Sequence, residues 1–136
     1  MIKNIYNLGD AALYCDFGDT VNKETNLKVI NYFNDIREKN ITGIKNIAPS
    51  YNKLIIYFDL ELTNYKKIKD TVENLDISNF EAAKTKIVKI PVCFDDEFAL
   101  DLERVEKRAG LVKKDIVNQL ISQKYFCYMT GFIAGM

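Results

Sequence analysis

The sequence predicts an α+β fold: a two-layer sandwich over residues 1–83, followed by a second region over residues 84–136. Three observations carry this expectation. Short strand-like apolar runs come in pairs, at 2–7 with 11–17 and at 44–48 with 52–58. A stretch with apolar residues at helical spacing follows each pair, at 22–38 and at 64–75. Beyond residue 84 the texture changes to a strand-like run, an acidic turn, two helical stretches and an apolar end.

The elements follow in order. In residues 2–7, Ile2, Asn4 and Tyr6 alternate with Lys3, Ile5 and Asn7, and Leu8-Gly9-Asp10 is a turn signal. A strand over 11–17 places Leu13, Cys15 and Phe17 on one face, and Gly18-Asp19 breaks it. A helix over 22–38 starts at Asn22 as N-cap. Glu24 sits in its first turn, where the dipole favours an acid. Leu27, Ile30 and Phe33, extended by Val29 and Ile36, form its apolar stripe, and Lys39-Asn40 and Gly43 end it. Strands over 44–48 and 52–58 are joined by Pro49-Ser50-Tyr51, a hairpin connection with Pro49 at the turn. Thr63 caps a second helix, whose Tyr65, Ile68, Val72 and Leu75 share a face. Two such helices on one face of an antiparallel sheet, in the order ββαββα, make a two-layer sandwich of ferredoxin-like type.

In the second region, residues 84–93 read as a strand with Pro91 near its end. Helices are expected over 98–108, stopped by Gly110 at C′, and over 113–121. The last strand, from Tyr125, runs into a glycine-bearing turn without a charged residue. A chain end is usually polar and frayed, so this end is expected to be that of a fragment or a truncated product.

Composition narrows the chemistry. Lysine plus arginine and aspartate plus glutamate both number 19, which gives no electrostatic reason to expect nucleic acid or an anionic membrane as partner. No apolar run is long enough for a membrane span, and the N-terminus lacks the apolar region of a signal peptide, so a cytoplasmic location is expected. There is no histidine, which removes Ser-His and Cys-His catalysis and histidine metal sites. Cys15, Cys93 and Cys127 are far apart, form no ligand cluster and are expected to be small buried hydrophobes, with a nucleophilic role for one of them as the minor reading.

Four places could carry chemistry. Asp95-Asp96-Glu97, with Asp101 and Glu103, is dense in acid but lacks the spacing of a calcium loop, and it lies where a helix begins and carboxylates cap it; no metal site is expected. Ser50 has no neighbour to activate it, since the nearest lysine, Lys53, falls on the side of Tyr51. Single glycines at Gly9 and Gly18 do not make a phosphate cradle. Tyr125, Tyr128, Gly131 and Phe132 are the candidate substrate- or partner-binding residues. Tyrosines offer hydrogen-bonding tips on apolar bodies, and glycine permits close backbone approach. The same residues also fit a core strand of a β-barrel. No catalytic residue is assigned.

Taken together, several segments resemble the KipI / allophanate hydrolase subunit 1 / 5-oxoprolinase B-subunit family, the subdomain C and D half of a carboxyltransferase domain. They are Gly9-Asp10-Ala11-Ala12-Leu13, Phe17-Gly18-Asp19, Asn26, Gly43-Ile44, Pro49-Ser50-Tyr51 and Leu54 in the first region. Ile90-Pro91-Val92, Asp101-Leu102-Glu103, Ala109-Gly110-Leu111 and Tyr125 through Phe132 follow in the second. The resemblance implies a ferredoxin-like N-terminal domain (1–83) and the beginning of a cyclophilin-like β-barrel (84–136). Leu120 stands where the family has a histidine, Ala99-Leu100 where it has glycine-proline, and Ala134 and Met136 where it has proline and phenylalanine.

By resemblance, the chain is expected to be the small subunit of an ATP-dependent 5-oxoprolinase, opening 5-oxoproline to glutamate, or of a related allophanate-hydrolase-type amidohydrolase. It would act only with a large carboxyltransferase-like partner and a third subunit. The chain itself would hold no cofactor, and the assembled complex would use ATP. Other members imply an alternative, a regulator that inhibits a sensor histidine kinase. A third reading is a scaffolding relative without activity.

Overall fold

The computed structural model describes residues 1–75 and 86–131. They fall into two compact units: residues 1–75 with 127–131, and residues 86–126. The expected boundary near residue 83 lies outside the described residues.

The first unit holds β1 (Asn4–Asn7), β2 (Ala12–Asp16), α1 (Lys23–Lys39), β3 (Ile44–Pro49), β4 (Lys53–Phe58) and α2 (Tyr65–Glu73). This is the ββαββα order expected from the sequence. The four strands form one antiparallel sheet in the order β1-β2-β4-β3. The chain therefore leaves β2, crosses through α1 and returns as β3 in the same direction, with β4 slotted between them.

In the β2–β4 ladder Leu13 faces Ile56 and Cys15 faces Leu54, so these four side chains share one face of the sheet. They form a buried cluster with Phe17 and Phe58, with Val29, Tyr32 and Ile36 of α1, and with Ile68 and Val72 of α2. Both helices thus cover the same face. Burying each large aliphatic or aromatic side chain here contributes about 1.5–3 kcal/mol relative to exposure. The Phe17 and Tyr32 rings meet edge-on, with centroids 5.2 Å apart. The opposite face carries Tyr14, Asp16, Lys53, Ile55 and Tyr57.

Local signals explain the helix ends. Asn22 caps α1, its side-chain oxygen accepting from Thr25 N at 2.8 Å, and Lys28 pairs with Glu24 one turn away. The helix closes on Asn40, left-handed at φ 44°. Its buried stripe differs from the expected one. Asn26, Val29, Tyr32 and Ile36 are buried, while Leu27, Ile30 and Phe33 are only partly covered. Asn64, not Thr63, caps α2, accepting from Lys67 N at 3.0 Å. Thr63 is buried instead, because Gly43, at φ +89°, lies against it: a Cβ at Gly43 would stand 2.6 Å from Thr63 Cγ2. The exposed edge strand β3 carries a bulge at Lys45 and ends in Pro49, two devices that discourage further strand pairing.

The second unit holds α3 (Leu102–Ala109) and α4 (Lys113–Ser122). Gly110 ends α3 at φ +66°, as the sequence predicts. Glu106 joins the two helices: its carbonyl accepts from Gly110 N at 2.9 Å and its carboxylate from Lys113 N at 2.5 Å. The α3 helix starts later than expected, because Asp95 O first closes a separate turn by accepting from Phe98 N and Ala99 N. Two strand expectations are corrected. Residues 86–93 and 125–131 form no strand. A strand persists only where a neighbour takes up its backbone groups, and no described strand pairs with either segment.

Candidate functional site

The predicted binding residues separate. Tyr125 belongs to the second unit, is 70% exposed and donates its hydroxyl to Leu120 O at 3.0 Å. Tyr128 is half-buried in the first unit and Gly131 is exposed there. Phe132 lies outside the described residues.

What gathers around Tyr128 is a junction that starts from Asn26. This residue sits on the buried face of α1 and is 1% exposed. A carboxamide there costs free energy unless its donors find acceptors. Its Nδ2 lies within donating distance of three backbone carbonyls: Ser50 O at 3.1 Å, Tyr51 O at 3.0 Å and Tyr128 O at 2.9 Å. The first two belong to the β3–β4 turn, so the helix is tied both to the hairpin and to the segment 127–131. The Tyr51 and Tyr128 rings pack with centroids 6.0 Å apart, and Ser50 Oγ lies 3.5 Å from Met129 Sδ. Cys127 Sγ lies 3.5 Å from Met129 O.

A polar cluster sits at the end of β2. Lys53 Nζ donates to the Asp16 carboxylate and, at 2.9 Å, to Gly18 O, while Asn52 Nδ2 also donates to Gly18 O at 2.5 Å. The hydrogen bond from Lys53, helped by the Gly18 backbone N–H, holds the Asp16 carboxyl below its ordinary range. Burial, the largest single effect, lowers the Lys53 ammonium, but the hydrogen bond and charge of Asp16, with Tyr14 and Asp19, together hold Lys53 above its ordinary value. Gly18 has φ +112°, and a Cβ there would stand 2.8 Å from the Lys3 side chain. These groups satisfy one another and fix the loop after β2 beside the hairpin that Asn26 holds.

The remaining candidates separate further. Burial pushes the Cys15 thiol up to about 12, so it is an inert core residue. The expectation of burial is corrected for Cys93 and Cys127, which are exposed because the segments that carry them lack strand partners among the described residues. Asp96 pairs with Lys113 at 2.5 Å and Asp101 with Arg104 at 3.0 Å. Among the described residues no three acidic or cysteine side chains converge as metal ligands. A shallow groove of about 300 Å³ at the end of α1 is lined by Phe33, Ile41 and Ile47 and by the polar Arg37, Asn40 and Lys45. No described helix is long and apolar enough to cross a membrane.

Sequence reasoning names Asn26 only as one matching position and misses its role. The signal is present: a lone carboxamide in phase with Val29 and Ile36 on a helix face that is otherwise apolar.

Comparison with known proteins finds relatives over nearly the whole chain. The chain is 28% identical to the 5-oxoprolinase B-subunit of Bacillus subtilis (strain 168) over 96% of its own length, and it spans 60% of that protein. The crystal structure of PH0987 from Pyrococcus horikoshii, a conserved uncharacterized protein, is 26% identical and superposes with a TM-score of 0.53 over 96% of this chain and 60% of that one. The crystal structure of TTHA0988 superposes with a TM-score of 0.67 at 23% identity, over 80% of this chain and 21% of that one, a likeness of fold. The model for the carboxyltransferase domain, subdomain C and D, matches residues 3–136, and the chain belongs to that family.

Proposed function

We propose that this chain is part of the small subunit of an ATP-dependent 5-oxoprolinase, or of a related allophanate-hydrolase-type amidohydrolase. The observation that carries the reading is the alignment with the 5-oxoprolinase B-subunit across nearly the whole chain. In this reading the chain works with a large carboxyltransferase-like subunit and a third subunit, and is inactive alone. ATP belongs to the assembled complex. The chain's contribution is shape and hydrogen bonding. In this reading tyrosine side chains at the junction of 49–51 with 127–131, where the Tyr51 and Tyr128 rings pack, hold a small acid or a developing oxyanion without histidine. Tyr125, Tyr128, Gly131 and Phe132 remain its candidate contacts.

The β2–α1–β3 crossover with β4 between its strands supports a ferredoxin-like sandwich for the first unit. The cyclophilin-like reading of residues 84–136 rests on the family resemblance.

The test is affinity purification of the protein from its native cell, with bound chains identified by mass spectrometry. Recovery of a large carboxyltransferase-like chain, and 5-oxoproline-stimulated ATP hydrolysis by the complex, is the expected result. Recovery of a histidine kinase without that chain would overturn the proposed enzyme role and favour a regulator.

A further inference from the structure

The Asn26 carboxamide has more acceptors than protons. A side-chain amide carries two N–H donors, yet three carbonyl oxygens from two separate segments lie within 2.9–3.1 Å of its nitrogen. The two hairpin carbonyls alone can occupy both protons. Loss of the third, Tyr128 O, therefore leaves no buried donor unsatisfied, and a buried orphan donor is the main cost of breaking such a contact. The freed carbonyl belongs to a segment whose neighbours Met129, Thr130 and Gly131 are exposed, so water can take it up. The two sides of the junction differ in kind. Ser50 and Tyr51 are locked into a hairpin by the β3–β4 ladder and by Ser50 N donating to Lys53 O at 2.9 Å. Residues 127–131 belong to no ladder.

We propose that Asn26 is a positioning residue that works as an exchangeable latch: it holds the segment 127–131 on the Ser50-Tyr51 turn, and it can release that segment while keeping the turn. The segment carries Tyr128 and Gly131, so the latch sets whether these residues stand beside Tyr51. The inference concerns docking within this chain. It deepens the site used in the proposed function, but its test does not depend on any activity.

The experiment is nuclear magnetic resonance with amide hydrogen exchange on the 136-residue chain and on Asn26→Asp. In the unaltered chain, Met129–Gly131 amides are expected to exchange at least tenfold faster than those of β4. The Asp carboxylate at position 26 has no proton to donate and faces three carbonyl oxygens. The variant is therefore expected to move the Tyr51 ring signals and the 128–131 amides toward unstructured values, while methyl signals of Val29, Leu54 and Ile56 stay in place. Exchange at 129–131 as slow as in β4 would overturn the latch, and this result needs no variant. A folded Asn26→Asp chain with unmoved Tyr51 and 128–131 signals would overturn it too. Failure to recover partner chains from the cell would bear on the proposed enzyme role alone.

Discussion

The two units have similar proportions of apolar residues and use them differently. In the first, β2, β4, α1 and α2 direct their apolar side chains into one cluster, and its largest members are almost fully buried. In the second, Ile87, Val88, Ile90, Val92, Phe98 and Leu100 are all more than 60% exposed, α3 buries no residue and α4 buries only Ile116. The second unit is held by short-range devices: the Glu106 bridge, the Gly110 stop, and the exposed pairs Glu103–Lys107 and Asp101–Arg104. Apolar patterning thus creates a face that is able to pack. Only a second face brought to it by topology makes it a core.

The largest expected effect tests that contrast directly. Phe58→Ala removes a fully buried ring and is expected to cost about 3–5 kcal/mol. Phe98→Ala, at a site 66% exposed, is expected to stay within about 0.5 kcal/mol, both read from urea unfolding curves. Comparable losses would mean that the second unit has a core after all. Next comes the packing of the β3 entry. Gly43→Ala forces a positive φ on a side chain and drives its Cβ into Thr63, with an expected cost of about 1–3 kcal/mol. Pairing it with Thr63→Ser should recover part of that loss, and the recovered part measures the clash. The caps give a smaller contrast. Asn22→Ala is expected to destabilise by about 1 kcal/mol, because its side chain accepts from Thr25 N. Asp101→Ala, at a cap without a side-chain hydrogen bond to the helix backbone, should change thermal unfolding by less than about 0.5 kcal/mol. Last is the ion pair at the end of β2. The folded Asp16 carboxyl lies below its ordinary 3.8, so its contribution is complete above the unfolded value and is lost as pH falls through the folded one. Acid titration of stability should show wild type losing about 1 kcal/mol that Asp16→Asn has already lost at neutral pH.

The same contrast explains what is legible in the sequence. In the first unit, alternation and the Asn22 cap are local signals that the ladder and helix packing reinforce, while Pro49, expected at the turn, pairs with Leu54 as the last residue of β3 and the turn follows it. In α1 the expected Val29 and Ile36 are buried, while Leu27, Ile30 and Phe33 lie one step from the buried Asn26, Val29 and Tyr32. Tyr32 and Phe33 compete for the sheet, and the choice depends on Phe17, which is distant in sequence and packs against Tyr32. Beyond residue 85, alternation over 86–93 and 125–131 resembles strands, but β structure depends on a partner that a local pattern cannot supply. The site is least legible. Side-chain chemistry singles out Tyr128, whereas the structure joins it to Asn26 and Tyr51 through backbone carbonyls, which no side-chain pattern reveals.

The slot that β4 occupies has a consequence for how the protein is made. Synthesis delivers β1, β2, α1 and β3 in that order, but β3 has no place in the sheet until β4 lies beside β2. The hairpin of β1 and β2 can close early over a short loop, while its other edge waits for about forty more residues to be made. Chains emerge from synthesis at roughly 5–20 residues per second, so that edge stands open for seconds on each nascent molecule. During that interval the β2 edge presents unpaired backbone groups, and Lys53–Phe58 is the segment that covers them.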